Sequence, residues 1–166
     1  MDQPEKNAYI LDLSAPKFAA VQRTADIGLN TVIRPVVSSD AEALAELMLE
    51  AYRGTIDYEG EEIEGAREAI ADFFSDAPLL GASMIASVDG AAASAVLVIS
   101  LDAGPFISFV VTHPVHKRTG LAAQVVTAAC QRLVDSGENK VSFAITDGNV
   151  ASETLFGRLG AVRLQS

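Results

Sequence analysis

The chain has 166 residues, the length of one ordinary domain, and 49% of them are hydrophobic while 20% are charged. This composition supplies a core and excludes a disordered tail or a low-complexity linker. Acidic residues outnumber basic ones 22 to 12, for a net charge of −10, which excludes the basic surface usual in nucleic-acid binders. The single cysteine excludes an internal disulfide and a cysteine-based zinc site.

The first thirty residues show no export or membrane signal. Charged residues interrupt them before an apolar stretch of about 7–15 residues, as in a signal peptide, is reached. The longest apolar run, residues 95–99, has the length of a buried strand. We therefore predict a cytoplasmic protein, and the unpaired Cys130 agrees with a reducing compartment.

The hydrophobic periodicity changes along the chain and predicts ten elements. In chain order they are strand, helix, helix, strand, strand, strand, helix, strand, helix and strand, at residues 31–36, 39–51, 63–74, 84–88, 92–100, 106–112, 119–136, 141–146, 149–160 and 161–164. Ser39 and Glu42 have the spacing of a capping box, and Asp89-Gly90 suits a type I′ hairpin turn. A helix between the last two long strands indicates a crossover and therefore a mixed sheet.

The segment after the sixth predicted element combines a strand end, two cations and a helix start. Lys117 and Arg118 stand side by side before Gly120, and no lysine or arginine occurs between Arg67 and Lys117. The first turn of a helix leaves N–H groups unpaired, and glycine lets a ligand approach them. The pattern predicts a pyrophosphate site, and the alternative is a solvated turn that carries two cations.

The segment Lys117-Arg118-Thr119-Gly120-Leu121-Ala122, after the strand end Thr112-His113-Pro114, resembles the cofactor-binding motif of the GNAT superfamily of N-acetyltransferases. That motif reads Gln/Arg-x-x-Gly-x-Gly/Ala. Gly120 and Ala122 match it, whereas Lys117 replaces the usual glutamine or arginine and Arg118 stands where glycine is frequent.

Residues 149–161 are similar to a second GNAT element, Asn-x-x-Ala-x-x-Leu-Tyr-x-x-x-Gly-Phe. Asn149, Leu155 and Gly160 match this element. The residues that depart from it are Ser152, Phe156 and Ala161.

The resemblance covers residues 31–164 and implies an α/β (α+β) fold. In this fold a mixed, splayed central sheet is flanked by helices in the order β-α-α-β-β-β-α-β-α-β. We expect an N-terminal extension at residues 1–30 and an acyl-CoA N-acyltransferase domain at residues 31–166. The family ordinarily ends with a further strand. Residues 8–13, which have strand character, are expected to fill that place within the chain or by exchange in a homodimer.

The resemblance also implies acetyl-CoA as cosubstrate, without a metal ion. The strand backbone would pair with the pantetheine amides, the loop amides would hold the pyrophosphate, and the N–H of Val111 or Thr112 would stabilise the oxyanion. Asn149 would bond the pantetheine arm and Phe156 would pack near the thioester sulfur. The implied cofactor-binding residues are Val110, Val111, Thr112, Lys117, Arg118, Thr119, Gly120, Leu121, Ala122, Asn149, Ser152 and Phe156.

The family's tyrosine acid is replaced by Phe156, which cannot donate a proton. A thiol with a pKa of about 8.5 leaves as a thiolate without full protonation, and Ser152 or water could supply the proton later. Residues 55–68 hold six acids against one base, and this charge would attract a cationic amine and supply a base. Glu61 and Asp57 are the predicted catalytic residues, with Glu59 and His113 as alternatives.

For each of those carboxylates the alternative interpretation is a solvated helix start. The resulting prediction is an N-acetyltransferase that moves an acetyl group directly to a primary amine of a small molecule or peptide. Its partner would be a cationic amine acceptor, with no nucleic acid and no membrane. The rival hypotheses are a non-catalytic acyl-CoA-binding module and one half of a larger enzyme.

Overall fold

The computed structural model describes residues 4–15, 30–53, 55, 60 and 62–165, which form seven strands and four α-helices. The strands are β1 (Lys6–Asp12), β2 (Thr31–Pro35), β3 (Met84–Val88), β4 (Ala91–Leu101), β5 (Gly104–Thr112), β6 (Lys140–Thr146) and β7 (Val162–Arg163). The helices are α1 (Ala41–Tyr52), α2 (Ile63–Ser75), α3 (Leu121–Asp135) and α4 (Val150–Leu159). From β2 onward the order is the one predicted from the sequence, and the predicted fold class is confirmed.

One sheet contains all seven strands in the order β2-β3-β4-β5-β6-β1-β7. Neighbouring strands are antiparallel except β5 and β6, which are parallel. Helix α3 connects these two strands, as a parallel pair requires. The hairpin between β3 and β4 turns at Asp89 and Gly90, which both have positive φ angles, as a type I′ turn demands.

The strand β4 carries apolar side chains to both faces of the sheet. Ala95, Leu97 and Ile99 belong to the core that α1 and α2 cover, whereas Val96 and Val98 belong to the core that α3 and α4 cover. Successive side chains of a strand point to opposite faces, so a strand covered on both sides needs a continuous apolar run.

Strand β1 is an integral part of this sheet. It pairs antiparallel with β6 along its whole length, from Lys6 opposite Thr146 to Asp12 opposite Lys140, and its other edge pairs with β7. Leu11 is fully buried in the core under α3 and α4. The segment with strand character near the N-terminus therefore lies between β6 and β7 of its own chain.

The burial of Leu11 gives a direct test of that placement. We expect Leu11→Ala to lower the free energy of unfolding by about 2–5 kcal/mol, the usual cost of such a core truncation. The control is Leu164→Ala, because Leu164 is 46% exposed beside the same strand. Urea unfolding of both variants measures the free energy that each one loses. Equal losses would show that Leu11 of β1 is not part of the core.

The start of α1 depends on an ion pair. Arg34 donates to the two carboxylate oxygens of Asp40 at 2.8 and 2.9 Å, and the N–H of Val37 donates to the same carboxylate at 2.8 Å. Asp40 is only 7% exposed. The hydrogen bonds from Arg34 lower the pKa of this carboxyl below its ordinary value.

The capping box predicted at Ser39 and Glu42 is wrong. The 3₁₀ turn Ser38–Asp40 makes Asp40 the N-cap residue of α1, and Glu42 instead accepts hydrogen bonds from Arg67 of α2. The reason lies in the tertiary structure, because Arg34 of β2 and Arg67 of α2 determine which carboxylates form ion pairs.

The depressed pKa of Asp40 predicts an acid-sensitive contribution to stability. A carboxyl whose pKa falls on folding stabilises the protein above its unfolded pKa of about 3.9, and this contribution disappears as the pH drops through the folded value. Asp40→Asn should therefore cost about 1–3 kcal/mol at pH 7, with a smaller difference from wild type below about pH 4. Urea unfolding at several pH values measures it. Asp102→Asn, in an exposed turn, is the control, and a pH-independent difference would contradict the assignment.

No helix in the described residues is long and apolar enough to cross a membrane.

Candidate active site

Strands β5 and β6 are paired only at the beginning of β5. Phe106 pairs with Ser142 and Ile107 pairs with Phe143, and the ladder goes no further although β5 continues to Thr112 and β6 continues to Thr146. The two strands thus diverge toward their carboxyl ends. The divergence leaves a slot between them, bordered on both sides by strand edges.

A β-bulge lies where the divergence begins. Leu97 of β4 faces Phe109 while Val98 faces Ile107, so Ser108 has no partner in β4. The hydroxyl of Ser108 donates to the carbonyl of Leu97 at 3.1 Å. A bulge bends its strand and increases the local twist, which explains why β5 turns away from β6 immediately after Ile107.

The register of β5 determines which backbone groups border the slot. The N–H of His113 donates to the carbonyl of Ala93 at 2.8 Å, so His113 belongs to a hydrogen-bonded pair with β4. Backbone direction alternates along an antiparallel pair, which directs the groups of Val111 toward β4 and those of Val110 and Thr112 toward the slot. The pairing expected with the pantetheine amides therefore suits the backbone of Val110 and Thr112 but not that of Val111. Of the two expected oxyanion donors, Val111 and Thr112, Thr112 is the better one.

The turn after β5 ends in the helix start predicted as an anion site. The N–H groups of residues 118–122 have no backbone acceptor among the described residues, whereas the N–H of Lys117 already donates to Pro114 at 3.3 Å. Arg118 and Gly120 have positive φ angles of 64° and 83°, and turns of this kind form concavities that bind anions. A Cβ at Gly120 would meet nothing within 4 Å, so the approach to these amides is open.

These features fit the pyrophosphate of a coenzyme A. The anion would be held by the amides of Arg118, Thr119, Gly120, Leu121 and Ala122 at the positive end of α3. The hydroxyl of Thr119 donates to the carbonyl of His116 at 2.6 Å and braces the loop.

The adjacent cations have different surroundings. Lys117 reaches the carbonyl of Ala51 at the end of α1, with Nζ 3.4 Å from the oxygen. A cation at this position also suits the negative end of the α1 dipole. Arg118 is exposed beside the open amides, so of the two it is the cation better placed for a phosphate.

The second motif forms the start and the middle of α4. Asn149 is its N-cap residue and accepts from the N–H of Ser152 at 3.2 Å. Phe156 is 3% exposed and stacks on Phe143 of β6 with ring centroids 4.0 Å apart. Phe143 stacks in turn on Tyr9 of β1. Phe156 is therefore part of the core, with little surface left for a ligand.

Both predicted catalytic residues, Glu61 and Asp57, lie outside the described residues, as does Glu59. Of the other acids in this region, Glu64 forms an ion pair with Arg67, which also binds Glu42 at 2.6 Å.

The surroundings of His113 and Cys130 differ. His113 accepts the N–H of Val115 at its Nδ1 atom, at 3.2 Å. Burial raises the pKa of the Cys130 thiol to about 12. Within the described ranges, no group of His, Cys, Asp and Glu side chains is arranged to hold a metal ion.

A cavity of about 200 Å³ lies between α2 and strands β4 and β5. Its lining includes Ala69, Asp72, Phe73, Asp76, Ser108 and Phe109. The hydrophobic periodicity of the sequence did not indicate this cavity.

Comparison with known proteins identifies the fold. Residues 87–165 match the family model described as FR47-like protein. A GCN5-related N-acetyltransferase from Sphaerobacter thermophilus matches with a TM-score of 0.73 at 14% identity, over 99% of this chain and 50% of that chain. This chain has the GNAT fold. The fold implied by the resemblance of the two sequence motifs is thereby confirmed.

Two further solved structures are similar. A tandem GNAT protein from the clavulanic acid biosynthesis pathway matches with a TM-score of 0.72 at 16% identity, over 98% of this chain and 51% of that chain. The diaminobutyrate acetyltransferase EctA from Paenibacillus lautus matches with a TM-score of 0.59 at 20% identity, over 78% and 74%. This chain spans about half the length of the first two proteins. No curated protein matches it significantly in sequence.

The proposed assignment of a pyrophosphate-binding loop to residues 118–122 can be tested at Gly120. Gly120→Glu places a negative side chain beside the open amides, and we expect the affinity for coenzyme A in calorimetry to fall at least about tenfold. Gly137→Glu is the matched control, because Gly137 also has a positive φ angle and open surroundings but lies at the other end of α3. Equal affinities of the two variants would refute the loop assignment.

Proposed function

We propose that the chain is an acetyl-CoA-dependent N-acetyltransferase that moves an acetyl group directly to a primary amine. The observation that carries the proposal is the divergence of the parallel strands β5 and β6 after Ile107, with the open helix start of α3 beyond it. A ligand that has an extended arm with amide groups and a pyrophosphate at one end would match both features. Coenzyme A has this structure.

Each part of the slot would bind a different part of the acetyl-CoA donor. The backbone of Val110 and Thr112 would pair with the pantetheine amides as an added strand would. The amides from Arg118 to Ala122 would bind the pyrophosphate. Asn149 would contact the pantetheine arm while it caps α4, and the hydroxyl of Ser152 would be the proton source nearest to that arm.

The reaction joins an amine nitrogen to the thioester carbonyl carbon, breaks the bond from that carbon to sulfur, and releases coenzyme A as thiolate. A protonated amine has no lone pair, so a base must first take one proton. Glu61 and Asp57 remain the proposed bases. The N–H of Thr112 would stabilise the oxyanion. The attacking nitrogen loses a second proton as the amide forms, and this proton balances the thiolate.

Structural neighbours support the acyl-CoA chemistry in general. EctA from Paenibacillus lautus was solved with L-2,4-diaminobutyric acid and coenzyme A, and the aminoglycoside N-acetyltransferase AAC(6')-Iy was solved with coenzyme A. From these neighbours we infer for this chain only an acyl-CoA cosubstrate and an amine acceptor. A cytoplasmic location and a homodimer stay predictions.

A second candidate is a non-catalytic acyl-CoA-binding module. It is favoured by Phe156, which stands at the position of the family's tyrosine acid and is buried against Phe143. The thioester does not strictly need that acid, because a thiol with a pKa of about 8.5 is an adequate leaving group.

Free-thiol release from acetyl-CoA, with a panel of primary amines, distinguishes the two candidates. The enzyme hypothesis predicts release above the uncatalysed rate with at least one amine, and similar or higher release for Phe156→Tyr because a hydroxyl is added. A binding module would bind coenzyme A without release from either protein. Loss of release in Gly120→Glu, but not in Gly137→Glu, would tie the activity to the slot.

A further inference from the structure

A buried serine lies behind the backbone amide that the proposed mechanism gives to the oxyanion. Ser94 of β4 is fully buried and stands directly opposite Thr112 of β5. Its hydroxyl donates to the carbonyl of Val111 at 3.0 Å, and its oxygen lies 2.9 Å from the hydroxyl oxygen of Thr112. Both contacts are made with the end of β5 that borders the slot. The proposed function does not yet use either of them.

The direction of these hydrogen bonds follows from the number of hydrogens. A serine hydroxyl has one hydrogen to donate and two sites at which it accepts. The carbonyl of Val111 can only accept, so the hydrogen of Ser94 points to it. The hydroxyl of Thr112 then donates to Ser94, because only this arrangement satisfies both contacts. A chain of hydrogen bonds therefore runs from the side chain of Thr112 through Ser94 to the carbonyl of Val111.

The chain of hydrogen bonds ends at the peptide group that also contains the N–H of Thr112. The carbonyl of Val111 and this N–H belong to one planar trans peptide, so they point in opposite directions. Ser94 binds the carbonyl on the β4 side, and the N–H points into the slot. A hydrogen bond to the carbonyl draws electron density from the nitrogen and makes the N–H a stronger donor, as in other cooperative chains.

The strand pairing does not require this hydroxyl. In the register of β4 and β5, Val111 and Ala95 form a hydrogen-bonded pair, so the carbonyl of Val111 has a donor in the ladder without Ser94. Ala93 and Ala95, on either side of Ser94, are fully buried as well, so alanine suits the packing of this part of β4. Burying a hydroxyl costs free energy that alanine avoids. The oxygen of Ser94 is thus an addition directed at one peptide.

We propose that Ser94 is a positioning residue for acetyl transfer. Its hydroxyl orients and polarises the peptide whose N–H, at Thr112, stabilises the oxyanion. Ser94 does not touch the thioester or the amine and transfers no proton, and the hydroxyl of Thr112 acts through it. The inference rests on the proposed function and adds to it a residue behind the oxyanion donor.

The size of the effect follows from two general magnitudes. Removal of a whole oxyanion donor lowers kcat by about 100- to 1000-fold. Cooperativity strengthens a hydrogen bond by about 10–30%, and this fraction of the donor's effect corresponds to about two- to eightfold in kcat. Ser94→Ala should therefore lower kcat by about two- to eightfold. The KM for acetyl-CoA should stay within about twofold, because the contacts with pantetheine and pyrophosphate remain.

The kinetic test measures thiol release with an amine that wild type accepts. Thr112→Val should add little to the loss in Ser94→Ala, since the threonine hydroxyl acts through Ser94. The matched control is Ser83→Ala. Ser83 is also fully buried and donates to a carbonyl of β4, that of Val98 at 3.2 Å, but it precedes β3 on the side of β4 away from β5. The control should keep the kcat of wild type. Unchanged kcat in Ser94→Ala, or an equal loss in Ser83→Ala, overturns the inference.

A spectroscopic test needs no turnover. A hydrogen bond to a carbonyl oxygen moves the ¹³C resonance of that carbonyl downfield, so acetyl-CoA labelled with ¹³C at the carbonyl reports the donor strength of the Thr112 N–H when no amine is present. The resonance of the bound label should move downfield equally in wild type and Ser83→Ala, and less in Ser94→Ala. Equal displacements in the three proteins, or none in wild type, overturn the inference.

The two tests separate the inference from the proposed function. If no amine gives thiol release, the proposed function fails, whereas the ¹³C displacement still decides the role of Ser94. Should Ser94→Ala not fold, Thr112→Val takes its place in the spectroscopic test, because it keeps the N–H and removes the hydroxyl that donates to Ser94. A displacement as large as in wild type would then overturn the inference.

Discussion

The parallel ladder between β5 and β6 contains only two residue pairs, and the rest of the site depends on the early end of this ladder. On one side, β5 is held by β4 along its full length. On the other side, β6 is held by β1, also along its full length. Without β1, the last residues of β6 would lack a partner on both edges, and unpaired backbone groups are costly when buried. The N-terminal strand is thus what permits the two halves of the sheet to separate.

The separation brings three features to one end of the sheet. The open edge of β5 presents the backbone groups of Val110 and Thr112, and the turn after it presents the free amides that begin α3. The bulge at Ser108 opens the cavity beside α2. Two parallel strands that a helix connects have their carboxyl ends at the same edge of the sheet. The helix begins shortly after the first strand, so the open edge of that strand and the start of the helix are adjacent. Among the described residues, the amides that begin α3 have no backbone acceptor.

The charge of the protein is distributed in keeping with this arrangement. Net charge is −10, yet Lys117 and Arg118 flank the turn where an anion would bind. Lys117 also contacts the carbonyl of Ala51, which links the turn to the end of α1. Asp72 and Asp76 lie near the bulge, away from that turn along β5.

The sequence by itself determined the elements and much of the donor site. Alternating and helical periods are local, so the order of strands and helices from residue 31 onward, the turn at Asp89-Gly90 and the helix start at Gly120 could all be predicted. The bulge at Ser108 and the ion pair of Asp40 with Arg34 could not, and the sequence left open whether the expected N-terminal strand pairs within its own chain. Each of these depends on residues distant in the chain, because register and ion pairing are chosen by whichever partner the fold brings close. The cavity beside Asp72 and Asp76 was decided in the same way, since it forms where the end of α2 lies opposite the bent strand β5.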